Sequence, residues 1–85
     1  MNWYKTSKKQ KIYNHSKWIN IDSSFITHVA FFKSLKILEI KFSNGRIYLY
    51  ENVPFKIYLK LVNSESKGDI FNNLIKNRYV VRKIA

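Results

Sequence analysis

Cysteine is absent from the 85 residues, and the chain has only one proline and two glycines. Without cysteine it forms no disulfide and offers no thiolate to a metal ion. His15 and His28 are the only histidines, too few for a zinc site without carboxylates. No apolar run is long enough to cross a membrane, and none near the start has the form of a secretory signal. We therefore expect a single small domain in the cytoplasm, with no cofactor and no membrane contact.

Acidic residues are scarce as well. Five Asp and Glu stand against 16 Lys and Arg, which gives a net charge of +11. No two of these carboxylates are placed for acid–base chemistry, and no phosphate-loop or nucleophile motif is present. Ser23 and Ser24 lie near His28 in the sequence, but no carboxylate is positioned to orient that histidine. The sequence thus argues against an enzyme.

The excess of basic residues predicts a polyanionic partner. Nucleic acid attracts such a chain through the release of counterions, and an acidic protein surface attracts it directly. Both classes of partner remain open on charge alone. Lysines that are solvated and contact no partner are the third interpretation.

Residues 1–20 differ in composition from the rest of the chain. They contain no acid, and they interleave lysines with aromatic residues: Lys5, Lys8, Lys9, Lys11 and Lys17 with Trp3, Tyr4, Tyr13 and Trp18. The stretch has no helical or strand period, so it is interpreted as a partly disordered basic arm. A globular domain is expected over residues 21–79, and a short tail over 80–85.

Three strands are predicted after the arm. Residues 23–32 are rich in β-branched and aromatic side chains, and in the second predicted strand, residues 35–42, positions 38–42 alternate strictly between apolar and charged. Residues 46–51 form the third strand. Asn44-Gly45 separates the last two strands, and this dipeptide is typical of a two-residue type I′ hairpin turn.

Two helices are predicted next, because the apolar period changes after Pro54. The first has its apolar side at Phe55, Tyr58, Leu59 and Val62. The second is expected from Lys67, with Ser66 and Asp69 at capping-box spacing. Its apolar side comprises Ile70, Phe71, Leu74 and Ile75. Residues 79–85 are a last short strand or a tail. The predicted fold class is α+β, a three-stranded antiparallel β-meander followed by two α-helices packed on one face.

The hairpin turn decides which side chains share a face of the predicted sheet. With a two-residue turn, Phe42 opposes Ile47 and Lys41 opposes Tyr48, and opposed residues lie on the same side. One side then carries an apolar set for the helices to cover: Leu38, Ile40, Phe42, Ile47 and Leu49. The other side carries Glu39, Lys41, Arg46, Tyr48 and Tyr50.

A basic face with aromatic rings is typical of modules that stack single-stranded bases and hold the phosphates with cations. The candidate nucleic-acid-binding residues are Tyr48, Tyr50, Lys41, Arg46, Lys8, Lys9, Lys11, Lys56 and Lys60. The second helix and the tail add further cations: Lys76, Arg78, Arg82 and Lys83. The alternative is that the tyrosines are structural, or that the aromatic arm covers this face.

These segments together resemble the KTSC domain, which occurs at the C-terminus of some lysyl-tRNA synthetases and as a free-standing small bacterial protein. The resemblance runs from about Ile21 to Tyr79. It is carried, in order, by SSFITHV (23–29), LEIKF (38–42), Gly45, YLY (48–50), VP (53–54), Tyr58, Leu61, SESKG (64–68), FN (71–72), Ile75 and Tyr79. It implies that Tyr48 and Tyr50 form the family's YxY element, and Ser64 stands where alanine is usual.

The resemblance implies a stand-alone, non-catalytic module associated with RNA, because the domain is attached to a tRNA-charging enzyme. The alternative function is a bacterial or phage-type accessory protein that binds or inhibits a host protein through its basic surface. A monomer or a weak homodimer is expected. The dimer would form through the edge of strand 23–32, which has no identified outer neighbour.

Overall fold

The structure, a computed structural model, describes residues 18–85. These residues form one antiparallel sheet of five strands in the order β1-β2-β3-β4-β5, together with two helices. The strands are β1 (Ile19–Asn20), β2 (Ile26–Phe32), β3 (Ile37–Phe42), β4 (Ile47–Tyr50) and β5 (Val81–Lys83). The helices are α1 (Phe55–Asn63) and α2 (Lys67–Ile70), and α2 continues into a π-helical segment, Phe71–Ile75. Within residues 18–85, no helix is long and apolar enough to cross a bilayer.

The α+β class is confirmed, but the predicted three-stranded meander is wrong, because a short strand lies at each edge of the sheet. Strand β1 pairs with the outer side of β2, where Ile19 faces Val29, so β2 is not an edge. Strand β5 pairs with β4, where Val81 faces Tyr50. An ion pair between Arg82 and Glu51 joins β5 to the end of β4. Of the two alternatives for residues 79–85, the structure shows the strand.

The predicted hairpin register is also wrong, by one residue. In the structure Lys41 faces Ile47 and Ile40 faces Tyr48, so the loop between β3 and β4 has three residues. The Gly45 N–H donates to the Phe42 carbonyl at 2.9 Å, and Gly45 has a φ of +89°. A three-residue loop with glycine in the left-handed region after the turn produces a G1 bulge, which moves every later residue of β4 to the opposite face.

The corrected register places both tyrosines on the face that the helices cover. Tyr48 and Tyr50 share that face with Leu38, Ile40 and Phe42, and Tyr50 is only 5% exposed. The core cluster joins this face to the buried helical residues Leu61, Phe71 and Ile75. The tyrosines therefore do not lie on a charged face opposite the helices, as the two-residue turn predicted.

The other face of the sheet carries Ile47 and Leu49 together with Glu39 and Lys41. Leu49 is 1% exposed, and Glu39, between Ala30 on β2 and Leu49 on β4, is fully buried. Burial raises the pKa of the Glu39 carboxyl to about 8. Both faces of the sheet thus carry buried residues, and a titratable group is enclosed on the face away from the helices.

Helix α1 begins after Pro54, as predicted, but its buried side differs from the predicted one. Leu61 is fully buried, whereas Phe55 and Leu59 are each 38% exposed. Ile57, Tyr58 and Val62 pack against the core beside it. The Tyr58 ring stacks on Phe31 with centroids 5.0 Å apart. The side of α1 that faces the sheet is therefore rotated about the helix axis from the predicted side, so that it is centred on Leu61 instead of Leu59.

Helix α2 begins at Lys67, as predicted, and Phe71 and Ile75 of the predicted apolar side are buried. Within the described residues, the Ser66 hydroxyl makes no capping hydrogen bond; instead the Ser66 N–H donates to the Ser64 hydroxyl at 2.8 Å. Gly68 lies against the ring of Phe25, where an added Cβ would be 2.9 Å from Cε1. Glycine at this position therefore lets α2 approach the loop before β2 without displacing the Phe25 ring.

Replacing Gly45 with alanine is expected to lower the free energy of unfolding by about 1–2 kcal/mol. An added Cβ would meet no atom within 4 Å, so the loss comes from the positive φ alone. Gly45→Asn is the matched variant, because asparagine adopts this conformation more readily, and it should lose less. Urea unfolding measures all three proteins. Equal stability of the alanine variant and the wild type would contradict the bulged turn.

Candidate functional site

An open cleft of about 350 Å³ lies on the helix-covered face of the sheet, beside the β3–β4 hairpin. Its inner walls are aromatic and come from three parts of the fold: Phe42 on β3, Tyr48 and Tyr50 on β4, and Phe71 on the π-helical segment. Val81 of β5 closes the outer side. The bulged turn creates this cleft, because without the shift in register the tyrosines would lie on the other face.

The rings in the cleft are arranged edge to face. Tyr48 is perpendicular to Phe42, at an interplanar angle of 90° with centroids 5.6 Å apart. Phe71 contacts Phe42 at 5.5 Å and Tyr50 at 6.0 Å, with angles of 71° and 79°. Such T-shaped contacts are the favoured geometry for aromatic pairs, and they fix the orientation of each wall. Tyr50 and Phe71 are buried, whereas Phe42 and Tyr48 are partly exposed toward the opening.

Two cationic residues line the same cleft. Arg46 follows the bulged turn and is exposed, and Lys76 ends the π-helical segment and is also exposed. The Lys76 N–H donates to the Phe71 carbonyl at 2.8 Å. The exposed lysine therefore lies about one helical turn beyond the buried Phe71 ring. Lys83 lies directly across from Tyr48 on β5 and therefore on the same face. The aromatic cleft therefore has cationic side chains around its opening.

The cleft also contains two side-chain amides, Asn44 in the turn and Asn77 after Lys76. The Asn44 side-chain oxygen accepts a hydrogen bond from the Arg46 N–H at 3.0 Å. This bond holds the turn and leaves the amide N–H₂ group as the donor that Asn44 offers to a ligand. Asn77 has a φ of +63°, a conformation that asparagine tolerates better than most residues.

Burial raises the pKa of the Tyr50 phenol to about 12, and the neighbouring Tyr48 adds to the shift. The Tyr50 hydroxyl is therefore protonated and uncharged at physiological pH. It adds no negative charge that would oppose the two cations. The cleft is chemically suited to a flat aromatic group that carries an anion.

The structure brings three of the predicted site residues together, Arg46, Tyr48 and Tyr50. Lys41 lies on the opposite face of the sheet, and Lys56 and Lys60 are exposed on α1. Lys8, Lys9 and Lys11 lie outside the described residues.

Sequence reasoning did not assign Phe42, Phe71 or Lys76 to the aromatic site. The sequence pattern predicts Phe42 and Phe71 in the core, and Lys76 among the cations of the second helix and the tail. The one sequence feature that could have indicated this cleft is Gly45. A three-residue turn with a bulge at this glycine places the tyrosines on the same face as Phe42.

The acidic residues and His28 of the described chain are poorly suited to hold a metal ion or an anion. Within residues 18–85 there is no group of three or more His, Asp or Glu residues that is arranged to hold a metal ion. A shallow depression between the loop before β2 and the start of α2 is lined by three acids, Asp22, Glu65 and Asp69, and by one cation, Lys67, so its net charge is negative and disfavours phosphate. The His28 ring packs against Trp18, and its Nδ1 lies 3.0 Å from the Thr27 hydroxyl.

Comparison with known proteins gives a consistent assignment. The model of the KTSC domain matches residues 22–79. A protein of Stutzerimonas stutzeri is 32% identical over 63 residues, which are 74% of this chain and 89% of that protein. The crystal structure of a KTSC domain protein from Yersinia pestis matches with a TM-score of 0.75 and 30% identity, over 80% of this chain and 96% of that chain.

The same region is also similar to a small part of a longer enzyme. A lysine–tRNA ligase of Trichormus variabilis is 28% identical over 64 residues, which are 75% of this chain but 11% of the ligase. The similarity thus includes a protein of comparable size and an enzyme that is much longer.

Proposed function

The chain belongs to the KTSC domain family, and from that premise we propose that it is a non-catalytic module that binds RNA or another single-stranded nucleic acid in the cytoplasm. The similar segment of the Trichormus variabilis protein belongs to a ligase named for tRNA. A domain attached to such an enzyme is favourably placed to contact RNA. The net charge of +11 supports the same class of partner.

The observation that carries the proposal is the aromatic cleft with Arg46 and Lys76 at its opening. Rings that are open to solvent beside cations bind single strands, because an unpaired base is free to stack and its phosphate is free to contact a cation. Bases in a duplex are already stacked and paired. The cleft therefore favours single-stranded over double-stranded nucleic acid.

Further lysines extend the proposed contact surface beyond the cleft. Lys56 and Lys60 are exposed on α1, and Lys41 is partly exposed on the other face. We propose that they contribute phosphate contacts along with Lys8, Lys9 and Lys11 of the basic arm. The described edge strands have two and three residues, and such short edges disfavour pairing between copies. We propose a monomer as the binding form.

The test is a filter-binding titration of end-labelled single-stranded RNA, single-stranded DNA and duplex DNA of one length at two salt concentrations. We expect micromolar binding to the single strands and weaker binding to the duplex. The logarithm of the association constant should fall with the logarithm of salt by about 0.7 for each phosphate contacted. Absence of RNA binding at low salt, or affinity that does not change with salt, would contradict the proposal.

Binding to an acidic protein surface is the alternative, and purification separates the two. Absorbance at 260 nm that co-purifies with the protein and disappears in high salt supports nucleic acid. A retained acidic polypeptide, with no bound nucleic acid, supports the protein partner.

A further inference from the structure

We infer that the cleft holds one unstacked nucleotide, with its base against Tyr48 and Phe42 and its phosphate between Arg46 and Lys76. The inference rests on the proposed function in one respect, namely that the nucleotide is part of a single-stranded nucleic acid. The site itself and its preference for a nucleotide follow from the residues of the cleft. The ligand class is a nucleoside 5′-monophosphate unit.

The size and shape of the cleft favour a single base. Its volume of about 350 Å³ is near the lower end of the range of pockets that hold small ligands, roughly 300–1,000 Å³. Tyr48 and Phe42 are perpendicular, so a flat ring that stacks on one of them meets the other with its edge. Both contacts are favourable for an aromatic ligand, and the second limits how the base rotates.

The charges around the cleft favour an anion at its opening and a neutral ring inside it. Arg46 and Lys76 approach from different elements, the β3–β4 hairpin and the end of the π-helical segment. A phosphate between them would accept hydrogen bonds from both, and the guanidinium offers a two-pronged contact. The inner walls carry rings and no charged side chain among the residues described, which suits a nucleobase.

The side-chain amides give the cleft a means to contact the edge of a base. Asn44 and Asn77 lie with the cations around the rings. The Asn77 amide supplies a donor and an acceptor together, and Asn44, whose oxygen accepts from the Arg46 N–H, supplies its N–H₂ group as a donor to a base edge. A purely apolar ligand would gain no hydrogen bond from these amides. A free phosphate would leave the rings unused.

A second depression leads away from the cleft and indicates where the strand continues. It shares Lys76 and Asn77 with the cleft and adds Arg78 and Tyr79. The Arg78 Nε donates to the Asn73 carbonyl at 2.9 Å, which fixes the guanidinium beside this depression. A strand with one base in the cleft would therefore place its next phosphate over Lys76 and Arg78.

The site is tested first with a mononucleotide. Adenosine 5′-monophosphate, adenosine and inorganic phosphate are each added to ¹⁵N-labelled full-length protein, and amide shifts are followed in ¹H–¹⁵N spectra. We expect the monophosphate to shift residues 42–50 and 71–83, and to bind more tightly than adenosine or phosphate alone. Shifts from the monophosphate that fall outside these two segments would overturn the inference.

Charge-matched variants then test the site in the polymer. Lys76→Glu and Lys36→Glu change the net charge equally, but Lys36 lies in the β2–β3 turn, at the opposite end of β3 from Arg46. Tyr48→Leu removes the stacking ring and Tyr48→Phe keeps it. We expect Lys76→Glu and Tyr48→Leu each to weaken RNA and monophosphate binding at least fivefold relative to Lys36→Glu and Tyr48→Phe.

The outcomes separate the site from the function. If RNA binds the wild type and all four variants alike, the cleft is not the site, while the proposed function stands. If RNA does not bind but the monophosphate shifts the cleft residues and the variants lose it, the proposed function fails and the nucleotide site stands. The unfolding temperature of each variant, measured in parallel, confirms that the weaker binder is folded.

Discussion

Replacing Tyr50 with alanine is expected to lower the free energy of unfolding by about 3–5 kcal/mol, the usual loss for a buried aromatic ring. Tyr50 is 5% exposed and belongs to the core cluster, and its ring meets Phe71 edge to face at 6.0 Å. A single small domain has a free energy of unfolding near the lower end of about 5–15 kcal/mol. The substitution should therefore remove most of the stability and leave much of the protein unfolded at physiological temperature.

Two further variants separate the contributions of the Tyr50 ring, the Tyr50 hydroxyl and burial. Tyr50→Phe keeps the ring and should stay within about 1 kcal/mol of the wild type, the usual contribution of one hydrogen-bonding group. Tyr48→Ala should lose less than Tyr50→Ala, because Tyr48 is only partly buried at the mouth of the cleft. Urea unfolding followed by circular dichroism measures all four proteins. Equal losses at the two tyrosines would contradict the division into a core ring and a cleft ring.

The two tyrosines show how far the sequence determines the site. It predicted that they lie on one face beside Arg46, and that much is confirmed, because the three residues line one cleft. It did not determine which face. Residues 47–50 are apolar or aromatic at every position, so their pattern is compatible with either register. The turn decided the register, and Asn-Gly fits both a two-residue turn and the glycine position of a bulged three-residue loop.

The side of α1 that faces the sheet was ambiguous for a related reason. Six of its nine residues are apolar or aromatic, so several stripes at helical spacing are available. The predicted stripe included Leu59 and left out Leu61, which is the fully buried residue. By contrast, the second helical segment has apolar residues only at Ile70, Phe71, Leu74 and Ile75, and there the prediction of the apolar side is confirmed.

The two edge strands were beyond the reach of sequence periodicity. Strands β1 and β5 have two and three residues, too few for an alternating pattern to appear. They form because β2 and β4 each offer an unpaired edge to the chain on either side of the domain. Sequence periodicity likewise does not mark the π-helical segment, because its buried residues Phe71 and Ile75 keep the i, i+4 spacing of an ordinary helix.

Glu39 provides the second large effect, which depends on pH. Its carboxyl is enclosed between Ala30 and Leu49, and burial raises its pKa from 4.5 to about 8. Between these two values the unfolded chain carries an ionised carboxylate, while the folded protein keeps the proton. The folded protein therefore binds more protons than the unfolded chain, and its stability must fall as the pH rises. The contribution is fully present below about pH 4.5 and is lost by about pH 8.

We expect the free energy of unfolding of the wild type to fall between about pH 5 and pH 8, with a slope that approaches 1.4 kcal/mol per pH unit. Glu39→Gln keeps the shape of the side chain but does not titrate, so its profile should be flatter, and it should be the more stable protein at pH 8. Urea unfolding of both proteins at several pH values gives the comparison, and the difference between the profiles cancels the titration of the groups that both proteins share. Parallel profiles would show that Glu39 is ionised in the folded protein.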